Sequence, residues 1–300
     1  MALDRNRRAP GRTRARLFAG CAAALCIIAA GCVPQDEPVV AGTALMQCAV
    51  QDLVAGDTAP PVLIPPGSCP GHYDMRPGDV ARVAGCDVLL LHPWQETMPN
   101  VTNVVRASGI APENVRVVPV PGNWMVPGAY AEALQSVAGV LEAHGLGPED
   151  MPGRVAQRSA EVRTLGQTLL ASLETAGATG TAVLCQEMAA PFAEWAGFSV
   201  AGAFGRSEDL SVSDVEALVR RGKDRGVSLV IDNLQSGDEA IGAVLARETG
   251  AERVILSNFP GGLPGTETWD RAIARNVELL VDALQHVRSM RRSSANSDGQ

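Results

Sequence analysis

Holding a metal ion takes thiolates, imidazoles or carboxylates within reach of one another, and the chain carries seven cysteines and four histidines. Cys48, Cys69 and Cys185 with His72 form a candidate set of soft donors, of the kind that holds Cu(I) or zinc. Two alternatives stand beside it. Free cysteines are among the most buried side chains, and Cys48–Cys69 could be a disulfide. With Cys86 included, four cysteines allow three pairings, and spacing does not choose among them. No CxxC occurs, which removes zinc ribbons and thioredoxin-like redox sites. GxSxG, HExxH and P-loop signatures are missing as well. Asp232 and Glu187 are carboxylates of the type acid–base catalysis draws on, but nothing in the sequence sets their separation. The chain therefore reads as a non-enzyme.

The elements that must position these residues alternate between strand and helix. Candidate strands fall at 44–48, 61–64, 87–91 and 115–120, then at 180–185, 198–202, 227–231 and 253–257. Helical segments fall near 49–56, 77–85, 97–108, 128–143, 187–196, 212–224, 237–249 and 267–288. Such alternation predicts α/β architecture, with parallel sheets covered by helices. Between the halves, Val155, Val162, Leu165, Leu169 and Leu173 recur at helical spacing over 149–176, the stripe of one long amphipathic helix. The expected organisation is a lobe over 42–148, a linking helix over 149–176, a second lobe over 177–288 and a polar tail over 289–300. Two such lobes leave a cleft where strand ends and helix N-termini converge, the usual place for a ligand.

The first 31 residues carry a different message. Six arginines between Arg5 and Arg16 precede an apolar run from Leu17 to Ala30, too short to span a bilayer and suited to a secretory signal. The run ends Ala29-Ala30-Gly31-Cys32, which resembles the lipobox of bacterial lipoproteins. That resemblance implies a signal over 1–31, lipidation at Cys32 and a membrane reached through the lipid, with 32–41 as a tether. Removing residues 1–31 takes away six arginines and one aspartate, moving the formal charge from −8 to −13. So acidic a chain is not a nucleic-acid binder, which needs a basic face.

Residues 65–79 read PPGSCPGHYDMRPGD and resemble the PPGxDPHxYxPxPxD loop of the zinc/manganese family of ABC-transporter solute-binding proteins. Pro65, Pro66, Gly67, Pro70, Tyr73, Pro77 and Asp79 match without a gap. Trp124 and Pro127 match the ends of the family's WLDP box. GAERVILSNFPGG, from Gly250 to Gly262, is similar to its GAKVVVLDPLGG. The resemblance runs from about 42 to 285. It implies two Rossmann-like α/β lobes joined by one long backbone helix, with the ligand cleft between them and an ABC permease and ATPase as partners.

The resemblance also implies four metal-ligand positions, and this chain departs at each. Gly71 stands at the first histidine, with His72 one residue late. Gly122, beside Asn123, stands at the second and Gln186 at the third. Ser257, followed by Asn258, replaces the closing aspartate. Another family acidic position is kept as Asp232. Two glycines, a glutamine and a serine do not make a tetrahedral zinc site. The two glycines enlarge the cleft, Asn123, Gln186, Asn233, Ser257 and Asn258 offer neutral donors and acceptors, and Trp124 is a candidate aromatic wall. If the family fold holds, Cys48 and Cys185 at strand ends and Cys69 in the PPG loop face the cleft. The cargo implied is a metal chelate, a small organic solute, or a soft transition metal on the thiolate–imidazole set. The competing reading is a surface adhesin without transported cargo.

Overall fold

The computed structural model describes residues 37–54, 59–237 and 240–297. The signal-like segment, the lipobox and Cys32 lie outside the described residues. In the first half, β1 (Val39–Ala41), β2 (Val88–Leu91) and β3 (Val115–Val117) form a parallel sheet in that order. In the second, β4 (Ala182–Gln186), β5 (Ser199–Phe204), β6 (Leu229–Asn233) and β7 (Glu252–Leu256) pair in the parallel order β5-β4-β6-β7.

Successive side chains on a strand point to opposite faces, and that alternation sorts each sheet between two cores. Val39, Ala41, Val88 and Leu90 face an inner core, which Val183, Cys185, Leu229 and Ile231 also enter from the second sheet. Val40, Leu89 and Leu91 face an outer core with Val83, Val101 and Val104, under α2 (Pro77–Ala84) and α3 (Pro99–Ser108). Leu184 and Val230 face the corresponding outer core of the second half, with Leu218 and Leu245, under α7 (Val212–Asp224) and α8 (Ala240–Thr249).

The inner core is filled by α1 (Ala44–Leu53), α4 (Pro127–Ala143), α5 (Met151–Ala176), the short α6 (Ala190–Trp195) and α9 (Trp269–Ser297). Helix α5 is the expected long connection. Asp150 caps it, accepting from the Gly153 amide, and Gly177 ends it in the left-handed region at φ 78°. Gly166 lets α5 approach the start of α4, since a Cβ there would lie 2.7 Å from Pro127 Cγ. Among the described residues, no helix is long and apolar enough to cross a membrane.

Three expectations need correction in the first half. Residues 44–48 belong to helix α1, whose Leu45, Met46, Ala49, Val50 and Leu53 are buried at helical spacing. The first strand is instead Val39–Ala41, inside the stretch assigned to the tether. Segment 61–64 contributes only the isolated bridge between Ala41 and Val62. Strand 115–120 stops at Val117, because Pro119 and Pro121 carry no N–H for the ladder.

Candidate ligand cleft

The cleft lies at the carboxyl ends of both sheets. Strand β2 runs into His92-Pro93-Trp94, β4 ends on Gln186, β6 ends on Asn233, and β7 is followed by Ser257 and Asn258. Between them lies a cavity of about 480 Å³, within the range of roughly 300–1,000 Å³ typical of small-molecule sites. Its first-lobe wall is Pro70, Gly71, Trp94, Thr97, Met98 and Pro99. Its second-lobe wall carries the amides Gln186, Asn233, Gln235 and Asn258, the apolar Met188 and Phe259, and the charged Glu187, Arg206 and Asp209.

The four ligand positions implied by the resemblance are filled in other ways. Gly71 lies against a guanidinium, since a Cβ there would stand 3.0 Å from Arg206 Nη2 and 3.1 Å from Nη1. Gly122 sits in open space at φ 82°, and its neighbour Asn123 reaches across the cleft. Asn123 Nδ2 donates to the Met188 carbonyl and to Asn258 Oδ1, both at 2.9 Å. Gln186 is buried, and its Oε1 accepts from the Met188 amide at 2.8 Å. Ser257 is buried too, with Oγ donating to the Phe259 carbonyl and accepting from Gln235 Nε2 at 2.9 Å. Gln235 also crosses the cleft, donating to the Pro66 carbonyl at 2.8 Å, while its Oε1 accepts from the Asn258 amide. Amide-to-carbonyl bonds thus tie the lobes together around the positions that the resemblance gives to metal ligands.

The soft-donor set is not brought together. Among the described residues, no group of three or more His, Cys, Asp or Glu is placed to hold a metal ion. Cys48 is on α1 rather than at a strand end, where its thiol donates to the Glu267 carbonyl at 3.6 Å and burial pushes its pKa up to about 12. Cys185 points into the inner core, as strand alternation requires, and burial likewise raises its pKa. Cys86 belongs to the outer core of the first lobe, and burial raises it to about 11. A thiol that resists ionisation is a poor metal ligand. Cys69 and His72 do stay together, close to Gly237, beside the loop of Tyr73–Pro77. His72 Nε2 lies 3.1 Å from Glu208 Oε1. Cys48, Cys69, Cys86 and Cys185 are all free, so the Cys48–Cys69 disulfide does not form.

Two further expectations change. Asp232 follows Val230 on the same strand face and therefore points away from the cleft, against α8. There Arg253 donates to its Oδ2 from Nε at 3.0 Å and Nη2 at 2.7 Å, and any side chain at Gly242 would collide with its carboxylate. Trp124 is wholly buried, donating from Nε1 to the Val120 carbonyl at 3.0 Å while its own carbonyl accepts from Trp269 Nε1. The aromatic wall is Trp94 instead. Its ring stacks on His92 with centroids 5.1 Å apart and planes 13° apart. His92 is itself fixed by Thr43 Oγ1 at 2.8 Å from Nε2 and by an edge contact to Trp124.

Sequence reasoning missed Trp94, Arg206, Asp209 and Gln235. Each lies just past a strand end, so strand boundaries were the available signal. The matched loop residues Tyr73 and Asp79 turn out to be scaffolding. Asp79 accepts from the Arg76 amide, from the Tyr73 hydroxyl and from Arg82, pinning the loop onto α2.

Solved structures with this fold include the periplasmic metal-binding protein of Candidatus Liberibacter asiaticus. It is 13% identical with a TM-score of 0.67, covering 82% of this chain and 98% of that one. A zinc-bound ZnuA deletion mutant is 15% identical at a TM-score of 0.65, covering 82% and 96%. The solute-binding protein FpvC of P. aeruginosa is 17% identical at 0.64, covering 83% and 96%. No curated protein sequence matches the chain. The profile of the periplasmic component A of zinc-uptake complexes, ZnuA, matches residues 39–283, and the chain therefore belongs to that family of two-lobed transport binding proteins rather than to a family of enzymes.

Proposed function

We propose that the protein is an exported, lipid-anchored solute-binding protein that delivers cargo to an ABC permease and its ATPase. The cargo is a small organic solute or an organically wrapped metal, not a bare ion. Membership of the family supports delivery to a permease. The arginine-rich start, the apolar run and the Ala-Ala-Gly-Cys32 sequence support export and lipidation.

One observation carries the cargo reading, namely the chemistry of the cavity wall. Solved structures of this fold include proteins described with bound zinc, manganese or Ni2+. A bare zinc ion needs about four N, S or O ligands converging at roughly 2.0–2.3 Å. Here the positions that the sequence resemblance gives to metal ligands carry Gly71, Gly122, Gln186 and Ser257, and the cavity holds aromatic, thioether and amide groups. Such a wall matches an organic surface with a few directed hydrogen bonds.

Native mass spectrometry of the protein purified without chelators from its own exported compartment tests this directly. An excess mass of an organic molecule or chelate is the expected result. An excess equal to one metal ion overturns the cargo reading. A folded protein that carries nothing and binds no solute turns the balance toward the adhesin reading.

A further inference from the structure

The charges in the cleft are all on one side. Glu187, Arg206 and Asp209 come from the second lobe, and the first-lobe wall has no ionisable group. The acidic and basic members do not neutralise each other. Arg206 makes no ion pair with Glu187 or Asp209, and its one carboxylate neighbour among the described residues is Glu208 at 3.8 Å, beyond hydrogen-bond length. Glu208 is drawn toward His72, which lies closer at 3.1 Å. The guanidinium lies against Gly71, whose missing Cβ leaves room for it. Glu187 is near the residue before Arg206, with both carboxylate oxygens 3.8 Å from where a Cβ of Gly205 would be. One cavity therefore presents a guanidinium beside Gly71 and two carboxylates, and among the described residues neither carboxylate forms an ion pair with that guanidinium. Facing them is Trp94, whose plane is set by the His92 stack.

A monoanion would meet Arg206 but also two carboxylates of its own sign. A simple cation would meet the carboxylates but also Arg206. A molecule carrying both charges and an apolar body satisfies all of them at once. We infer that the cargo is a zwitterionic organic solute, its acidic group on Arg206, its ammonium toward Glu187 and Asp209, and its apolar part against Trp94. This rests on the solute-binding reading above and names the class of solute.

The test is calorimetry on the mature chain with defined probes. The zwitterions are phenylalanine, 4-(aminomethyl)benzoate and 6-aminohexanoate, and the single-charge analogues are phenethylamine and 3-phenylpropanoate. At least one zwitterion is expected to bind roughly tenfold tighter than either analogue. Arg206→Gln is expected to remove about that factor for the zwitterion and to leave phenethylamine unchanged. Glu187→Gln with Asp209→Asn is expected to do the reverse, weakening phenethylamine and leaving 3-phenylpropanoate no weaker. All three side chains are accessible to solvent, so circular dichroism should show each variant folded. Equal binding of single-charge analogues, no response to Arg206→Gln, or no binding by any zwitterion overturns the inference. A natively bound organic mass that no zwitterion displaces also overturns it while the cargo reading stands, whereas a bound bare ion overturns the inference and the cargo reading together and leaves delivery to a permease untouched.

Discussion

At the scale of single residues, burial decides which polar groups belong to the scaffold. His92 is fully enclosed, and loss of hydration pushes its pKa from 6.5 down to about 3. The folded chain thus refuses a proton that the unfolded chain accepts below about pH 6.5. Stability is complete above that pH and is lost as the pH falls toward 3, at up to about 1.4 kcal/mol per pH unit. Urea unfolding between neutral pH and about pH 4.5 should show this slope. In His92→Gln the slope should be shallower by close to one proton, and an unchanged slope would show that His92 is not its source. Asp232 makes the complementary case. Its carboxylate is buried and two of its hydrogen bonds come from Arg253. Arg253→Leu should therefore cost roughly 3–5 kcal/mol, read as a lower denaturant midpoint at unchanged cleft chemistry. A loss below about 1 kcal/mol would mean that Asp232 is satisfied without the guanidinium.

At the scale of elements, the long helix depends on a residue that helix propensity alone would discourage. Replacing glycine by alanine inside a helix normally stabilises by about 1 kcal/mol. At Gly166 the new methyl would press on the rigid ring of Pro127 at 2.7 Å, and overpacking of that kind costs roughly 1–3 kcal/mol. Gly166→Ala should therefore be neutral to destabilising, and a clear gain in thermal midpoint would disprove the close α4–α5 contact. This helix was legible from sequence because five apolar residues kept one period over many turns. The second-half strands were legible for a similar reason, since they are continuous apolar runs bounded by turns. The first half was harder. The run at 44–48 has no periodicity to separate strand from helix, and only the contacts of Leu45, Ala49 and Leu53 with the core settle it as α1. Site residues divided likewise. The motif placed Gly71, Gln186, Asn123 and Asn258 at the cleft, while Cys185, Asp232 and Trp124 went elsewhere. Strand parity and tryptophan burial sent them there, and neither can be read without knowing where each strand begins.

At the scale of the whole molecule, the lobes are fastened at two places with different chemistry. Behind the cleft, Arg158 on α5 bonds Asp52 on α1 at 2.8 Å and Asp270 on α9 at 2.7 and 3.2 Å. The Tyr130 hydroxyl on α4 completes the cluster by donating to Asp52. Burial raises the Asp52 pKa and Arg158 opposes that shift, and this junction is a partly dry cluster of one guanidinium, two carboxyl groups and a phenol. In the cleft the fastening is lighter, with Asn123 bonded to the Met188 carbonyl and Asn258, and Gln235 to the Pro66 carbonyl. Three such neutral bonds amount to about 3 kcal/mol, roughly a hundredfold in a closed-to-open ratio. The two fastenings should respond differently to mutation. Arg158→Ala should lower the thermal midpoint, because it leaves two carboxylates facing each other without their cation. Asn123→Ala with Gln235→Ala should lower the midpoint through the lost Gln235 bonds to Ser257 and the Asn258 amide and, unlike Arg158→Ala, should also raise the radius of gyration in small-angle scattering and weaken solute binding by up to that hundredfold. If the double variant scatters like the parent and binds as tightly, the cleft amides are mere decoration on a molecule whose closure is set entirely by α5 and its ion cluster.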